Sequence, residues 1–237
     1  MIQGSSHRLH EPWAQTILGR LRISELLFEV PRDYTNPSSG TLQIFARAVT
    51  RHETPAATPS DEEKRKSSQK PWFVYLQGGP GHSCPAPQNM AITNTVLEKG
   101  YQMLYLDQRG TGLSTPVSAA TLALEGDAFK QAEYLKLFRA DSIVKDCEAI
   151  RKTLTEGYPD ELRKWTLFGQ SFGGFCILTY LSQFPQGLRE CFMSGGMAPV
   201  GRSADQVYKA TYQKVIQRNK AYYAKYPEDV ETMHSKY

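Results

Sequence analysis

The chain has 237 residues, of which 40% are hydrophobic and 11% aromatic, with a formal net charge of +4. This is the composition of an ordinary globular protein, able to bury a core in one large domain or two small ones. It argues against a nucleic-acid surface, because the densest basic run, Lys64-Arg65-Lys66, follows Asp61-Glu62-Glu63 and largely cancels it, and against a membrane span, because no apolar stretch is long enough.

Met1 to Ser6 lack a charged start followed by an apolar core, so no signal peptide is read and a soluble cytoplasmic protein is expected. Within residues 21–50, Leu26-Leu27-Phe28-Glu29-Val30 is one strand and Leu42 to Val49 alternates as the next, an antiparallel pair. Pro31, Asn36-Pro37 and Ser39-Gly40 supply the turn chemistry between them. Residues 52–70, rich in Pro, Ser, Thr, Ala and mixed charge, read as a flexible surface insertion. Trp72 to Leu76 is a continuous apolar strand that ends at Gly78-Gly79-Pro80-Gly81. A helix over about 86–99 follows, then the strand Met103 to Leu106, which ends at Asp107-Gln108-Arg109-Gly110. After a long connection, Asp141 is the expected N-cap of a helix with Ile143, Cys147, Ile150 and Leu154 on one face.

Next come a short apolar strand, Trp165 to Phe168, and an apolar helical segment, Gly174 to Leu181, stopped by Pro185. Another strand lies near Cys191-Phe192-Met193. Such alternation predicts an α/β fold: a mostly parallel sheet with antiparallel N-terminal strands and crossover helices on both faces. The four cysteines, Cys84, Cys147, Cys176 and Cys191, form no Cys-x-x-Cys pair and read as free thiols. Beyond Pro199, residues 203–225 and those after Pro227 read as amphipathic helices rich in Tyr, Lys and Gln. The expected organisation is a core over 1–200 and the beginning of a helical lid over 201–237.

Between the strand and the helix stands Gly169-Gln170-Ser171-Phe172-Gly173, a Gly-x-Ser-x-Gly pentapeptide. A strand, a sharp turn bearing serine and then a helix make the nucleophile elbow of an α/β-hydrolase. Ser171 is therefore the candidate nucleophile. Side chains at Gly169 and Gly173 would collide with the neighbouring strand and helix. The helix N-terminus favours the negative charge that develops in acyl transfer. The chemistry needs oxyanion donors; in this fold one is the N–H after the nucleophile, here Phe172, and the other comes from the loop after an earlier strand. The Gly78-Gly79 turn occupies that place. No organic cofactor is expected, and no His/Cys/Asp cluster has metal-ligand spacing.

Three stretches taken together, Gln77 to Gly81, Asp107 to Ser114 and Gly169 to Gly174, resemble the signature motifs of the proline iminopeptidase (prolyl aminopeptidase) family of α/β-hydrolases. The resemblance covers about residues 20–237, with Gln77 where the family usually has His. It implies a serine peptidase that releases an N-terminal residue, typically proline, from a peptide with a free N-terminus. It implies Ser171 as nucleophile and Gly79 and Phe172 as oxyanion donors, with Gly78, Asp107, Arg109, Gly169 and Gly173 shaping the site. Asp107 precedes the serine, whereas this fold orders its triad Ser, acid, His, so Asp107 is read as structural. The only His after Ser171 is His234, in the expected lid, and the other histidines are His7, His10, His52 and His82. The expectation is thus an incomplete sheet, a catalytic acid and His lying outside this chain, and little turnover by the chain alone. A non-catalytic binding module and an esterase on the same scaffold are the alternative readings.

Overall fold

The structure, a computed structural model, describes residues 14–52, 60, 62, 69–88, 91–196 and 201–234. Most of the expected insertion at 52–70 lies outside these residues. Seven strands are described: β1 (Ala14–Leu18), β2 (Leu21–Pro31), β3 (Thr41–Arg51), β4 (Trp72–Leu76), β5 (Gln102–Leu106), β6 (Trp165–Gln170) and β7 (Leu188–Ser194). They form one sheet in the order β1-β2-β3-β5-β4-β6-β7. The first three strands and the β3–β5 pair are antiparallel, whereas β5, β4, β6 and β7 run parallel. The chain leaves β4 to one side for β5 and returns to its other side as β6. That reversal opens a crevice at the carboxyl ends of β4 and β6.

The two-residue period of β4 divides the core. Trp72, Val74 and Leu76 pack in one cluster with Ile143, Cys147 and Ile177, while Phe73 joins Met103, Tyr105 and Val96 in the other. The first cluster is covered by α4 (Ala140–Leu154) and α5 (Phe172–Gln183), the second by α1 (Ala91–Glu98). Helices on both faces explain why β4 and β5 read as uninterrupted apolar runs.

Several boundaries differ from the sequence reading, each for a local reason. β1 went unforeseen because all five of its residues are exposed, which leaves no apolar alternation to detect. α1 begins at Ala91 rather than near 86; Pro85 and Pro87 each bias the residue before them toward extended backbone. The expected long connection after Ser114 holds two short helices, α2 (Ala119–Ala123) and α3 (Ala128–Leu135). They start at side-chain caps, Ser118 accepting from Thr121 N and Asp127 from Lys130 N, but bury no residue. The N-cap of α4 is Arg139, not Asp141; burial of Ala140 in the core outweighs the capping preference of Asp141, which stays in the first turn near the positive helix end.

Helices α4 and α5 are joined by a buried polar triad. Arg151 donates to both Glu148 oxygens, from Nε at 2.8 Å and Nη2 at 2.7 Å, and the Tyr180 hydroxyl donates to Glu148 Oε2 at 2.9 Å. Burial would raise the Glu148 carboxyl, but Arg151, Tyr180 and Lys152 together hold it below its ordinary value. A lowered carboxyl pKa contributes stability that is full above the ordinary glutamate value, about 4.3, and fades as pH falls through the folded value. Glu148→Gln should therefore destabilise the protein at neutral pH and flatten the acid limb of its stability profile. Urea unfolding across that limb measures this; an unchanged slope would contradict it.

Three of the four cysteines are buried and all are free. Burial pushes the Cys176 thiol up to about 12 and the Cys147 thiol well above its ordinary value, so both behave as small apolar groups.

The chain divides into two compact units, Met1–Met197 and Ala198–Tyr237. The second contains α6 (Ala204–Lys225), capped by the Ser203 hydroxyl, and α7 (Asp229–His234). A Tyr222–Asp229 hydrogen bond of 2.5 Å and a Tyr222–Tyr226 ring contact at 5.0 Å link the end of α6 to the start of α7. No residue of α6 is buried. Among those residues no helix is long and apolar enough to cross a membrane.

Candidate active site

Ser171 caps α5 with φ 52° and ψ −119°. A non-glycine residue takes this conformation only where its surroundings enforce it, at a cost of about 1–3 kcal/mol. Here Ser171 N donates to Ser194 O at the end of β7 at 2.8 Å, and Ser171 O accepts from Gly174 N at 2.9 Å. A Cβ on Gly173 would run into the Leu76 carbonyl, and one on Gly169 into the Gly173 carbonyl. The helix is thus packed onto β4 and β6 at backbone contact, which leaves the serine exposed at the crest of the turn. Phe172 is the first helical residue, and an N–H at that position has no partner within its helix.

The loop after β4 comes up against the serine. A Cβ on Gly78 would lie 2.9 Å from Ser171 Cβ, so only glycine allows this approach. Gly79 follows with φ 122°, a left-handed conformation suited to glycine. Beside the loop lies a cavity of about 330 Å³, bordered by Pro80, Gly81, Val117, Phe138, Ile143 and Phe172. Its walls are mixed, with Gln108, Arg109 and Thr111 bordering it beside the apolar residues.

Asp107 is buried, and both its oxygens are occupied. Oδ1 accepts from Cys84 N at 2.7 Å and Oδ2 from Leu113 N at 2.9 Å, which ties the loop after β4 to the loop after β5. Arg109 uses all five donors. Nε and Nη2 grip Asp146 at 2.7 and 2.6 Å, Nη1 donates to Arg32 O and Leu137 O, and Nη2 also donates to Pro31 O. Tyr34 adds a hydroxyl bond to Asp146 at 2.8 Å. Both residues therefore hold the loops that border the site.

Other residues converge on the elbow without having been singled out. A Cβ on Gly196 would strike the Ser171 carbonyl, so Ser194-Gly195-Gly196 forms a third glycine turn at the carboxyl edge. A glycine pair at the end of an apolar strand was the available signal. The side chains of Tyr75, Gln77, Gln108 and Gln170 gather at the same place through hydrogen bonds that no spacing rule reveals. His82 is exposed in the glycine loop, and His234 ends α7 in the second unit. Among the described residues, no group of three or more His, Cys, Asp or Glu could hold a metal ion.

The family model for the alpha/beta hydrolase fold matches residues 71–230, from just before β4, through the elbow, to the start of α7. A proline iminopeptidase of Aspergillus aculeatus is 46% identical over 212 residues, 90% of this chain and 45% of that protein. A proline iminopeptidase of Aeromonas sobria is 44% identical over 89% of this chain and 46% of its own length. The chain spans about half the length of the curated relatives it matches. Among solved structures, a proline iminopeptidase-related protein of Thermus thermophilus aligns with 71% of this chain and 44% of its own, at 19% identity and a TM-score of 0.42. With its model match covering more than half the sequence, the chain belongs to the α/β-hydrolase fold family, in line with its resemblance to the proline iminopeptidases.

Proposed function

We propose that the intact protein is a serine aminopeptidase that releases N-terminal proline from peptides, and that this chain carries its nucleophile and oxyanion donors. The observation that carries the reading is the strained backbone of Ser171 at the start of α5, with Gly78 packed against it. In this reading Ser171 Oγ attacks the carbonyl carbon of the substrate's first residue. The resulting oxyanion is received by the Gly79 and Phe172 N–H groups. Collapse expels the peptide as an amine that takes up a proton, and water then releases the acyl group from Ser171. The apolar side of the cavity beside Phe172, formed by Pro80, Val117 and Phe138, suits an aliphatic ring at the acyl position. The base that takes the Ser171 proton, and its carboxylate partner, are assigned to sequence outside these 237 residues, so residues 1–237 alone should turn over little substrate.

The test is hydrolysis of an arylamide panel by the intact protein: proline, alanine, leucine and N-blocked proline. Free proline arylamide should have the highest kcat/KM, and the blocked form should resist cleavage. Absence of turnover on all four, or preference for the blocked substrate, would overturn the reading.

A further inference from the structure

The Gln77–Gly78 peptide is held at both ends. Its carbonyl accepts from Gln108 Nε2 at 2.9 Å, and its N–H, on Gly78, donates to Gln77 Oε1 at 2.9 Å. Gln108 is buried and comes from the loop after β5. The Tyr75 hydroxyl lies 2.9 Å from the same Gln77 Oε1 and 3.0 Å from Oε1 of Gln170, the residue before the serine.

A phenol has one hydrogen and cannot give it to both glutamine oxygens. The Gly78 N–H needs an oxygen, which fixes the orientation of the Gln77 amide. Gln170 is the one free to turn, so that its Nε2 donates to the phenol oxygen. The run is then Gln170 Nε2–H to Tyr75 O, and Tyr75 O–H to Gln77 Oε1, which also receives Gly78 N–H. Burial, with smaller effects from Cys84 and Tyr105, pushes the Tyr75 phenol above its ordinary value, so it remains a donor at neutral pH.

A peptide unit is planar, so pinning its carbonyl and its N–H removes its freedom to rotate. The next unit carries the Gly79 N–H, and two successive glycines would otherwise be the freest part of the loop. We propose that Gln77, Tyr75 and Gln108 are positioning residues that clamp the Gln77–Gly78 peptide and so aim the Gly79 N–H at the oxyanion formed on attack by Ser171. The aiming role rests on the function proposed above; the clamp itself does not.

Two measurements on the intact protein test this. Amide hydrogen exchange at Gly78 should quicken by about tenfold or more in Gln77→Leu and return toward the parent rate in Gln77→Glu, which keeps an acceptor oxygen. Tyr75→Phe, which removes only the hydroxyl, should fall between them and serves if Gln77→Leu does not fold. On proline arylamide, Gln77→Leu should lower kcat by roughly tenfold to a hundredfold, part of the cost of deleting an oxyanion donor. KM should change little, and Gln77→Glu should recover most of the rate. Unchanged exchange at Gly78 in Gln77→Leu, or in Tyr75→Phe where that variant stands in, overturns the clamp whether or not the protein hydrolyses anything. Faster exchange with unchanged kcat overturns the aiming role. A parent protein without Ser171-dependent turnover refutes the proposed function and the aiming role, and exchange alone then decides the clamp.

Discussion

Ser171→Ala should lower kcat for proline arylamide in the intact protein by about four to six orders of magnitude. In the proposed mechanism the serine supplies the atom that bonds to the acyl carbon, so its loss removes the covalent route rather than weakening it. What remains is the rate that binding and the oxyanion donors can lend to attack by water. The folded state should not suffer. The serine is exposed, and its strained φ of 52° is enforced by backbone bonds to Ser194 and Gly174 that alanine can also make. The paired measurement is therefore kcat and the urea midpoint, with a large fall in the first and little change in the second. Retention of more than about a tenth of the parental rate would show that Ser171 is not the nucleophile.

Arg109→Ala should cost about 3–5 kcal/mol of stability, the loss typical when one partner of a buried ion pair is removed. Arg109 is 2% exposed and Asp146 1%, so the abandoned carboxylate would keep its burial and lose the guanidinium charge held 2.6 Å away. The three carbonyls that Arg109 ties together, of Pro31, Arg32 and Leu137, would lose a shared donor as well. Arg109→Lys should rescue little, since an ammonium cannot reproduce the planar fork that meets both carboxylate oxygens and three carbonyls. Arg109→Ala combined with Asp146→Ala should cost less than the sum of the single changes, because the second removes the stranded charge. Urea unfolding of the parent, the three single variants Arg109→Ala, Arg109→Lys and Asp146→Ala, and the double variant measures this. A single-variant loss below about 1 kcal/mol, the scale of an exposed pair, would mean that the pair is solvated in solution.

The elbow was legible because its requirements are local. An apolar strand, a glycine on each side of Gln170-Ser171-Phe172 and a helix ended before Pro185 are all adjacent in the chain, and each has its own steric reason. The core strands were legible for the same reason: burial on both faces leaves a continuous apolar run, as in Trp72 to Leu76. Elements that bury nothing left no such trace. β1, α2 and α3 are set by backbone pairing and side-chain caps and were passed over.

By itself the sequence determined the fold class, the serine at its turn and the glycines that let two loops approach it. The tertiary structure alone decided which loops meet. β6 pairs with β4 rather than with β5, the strand before it in the chain, and that order brings Gly78 against Ser171. It also decided that Arg109 closes on Asp146 and Tyr34, residues 37 and 75 positions away, and that Gln108 reaches back to the Gln77 carbonyl. The physical reason is that a side chain's local pattern reports only whether it faces core or solvent. Which buried donor finds which acceptor depends on sheet order and loop path, and these settle only when the whole core packs and each buried polar group must find a partner.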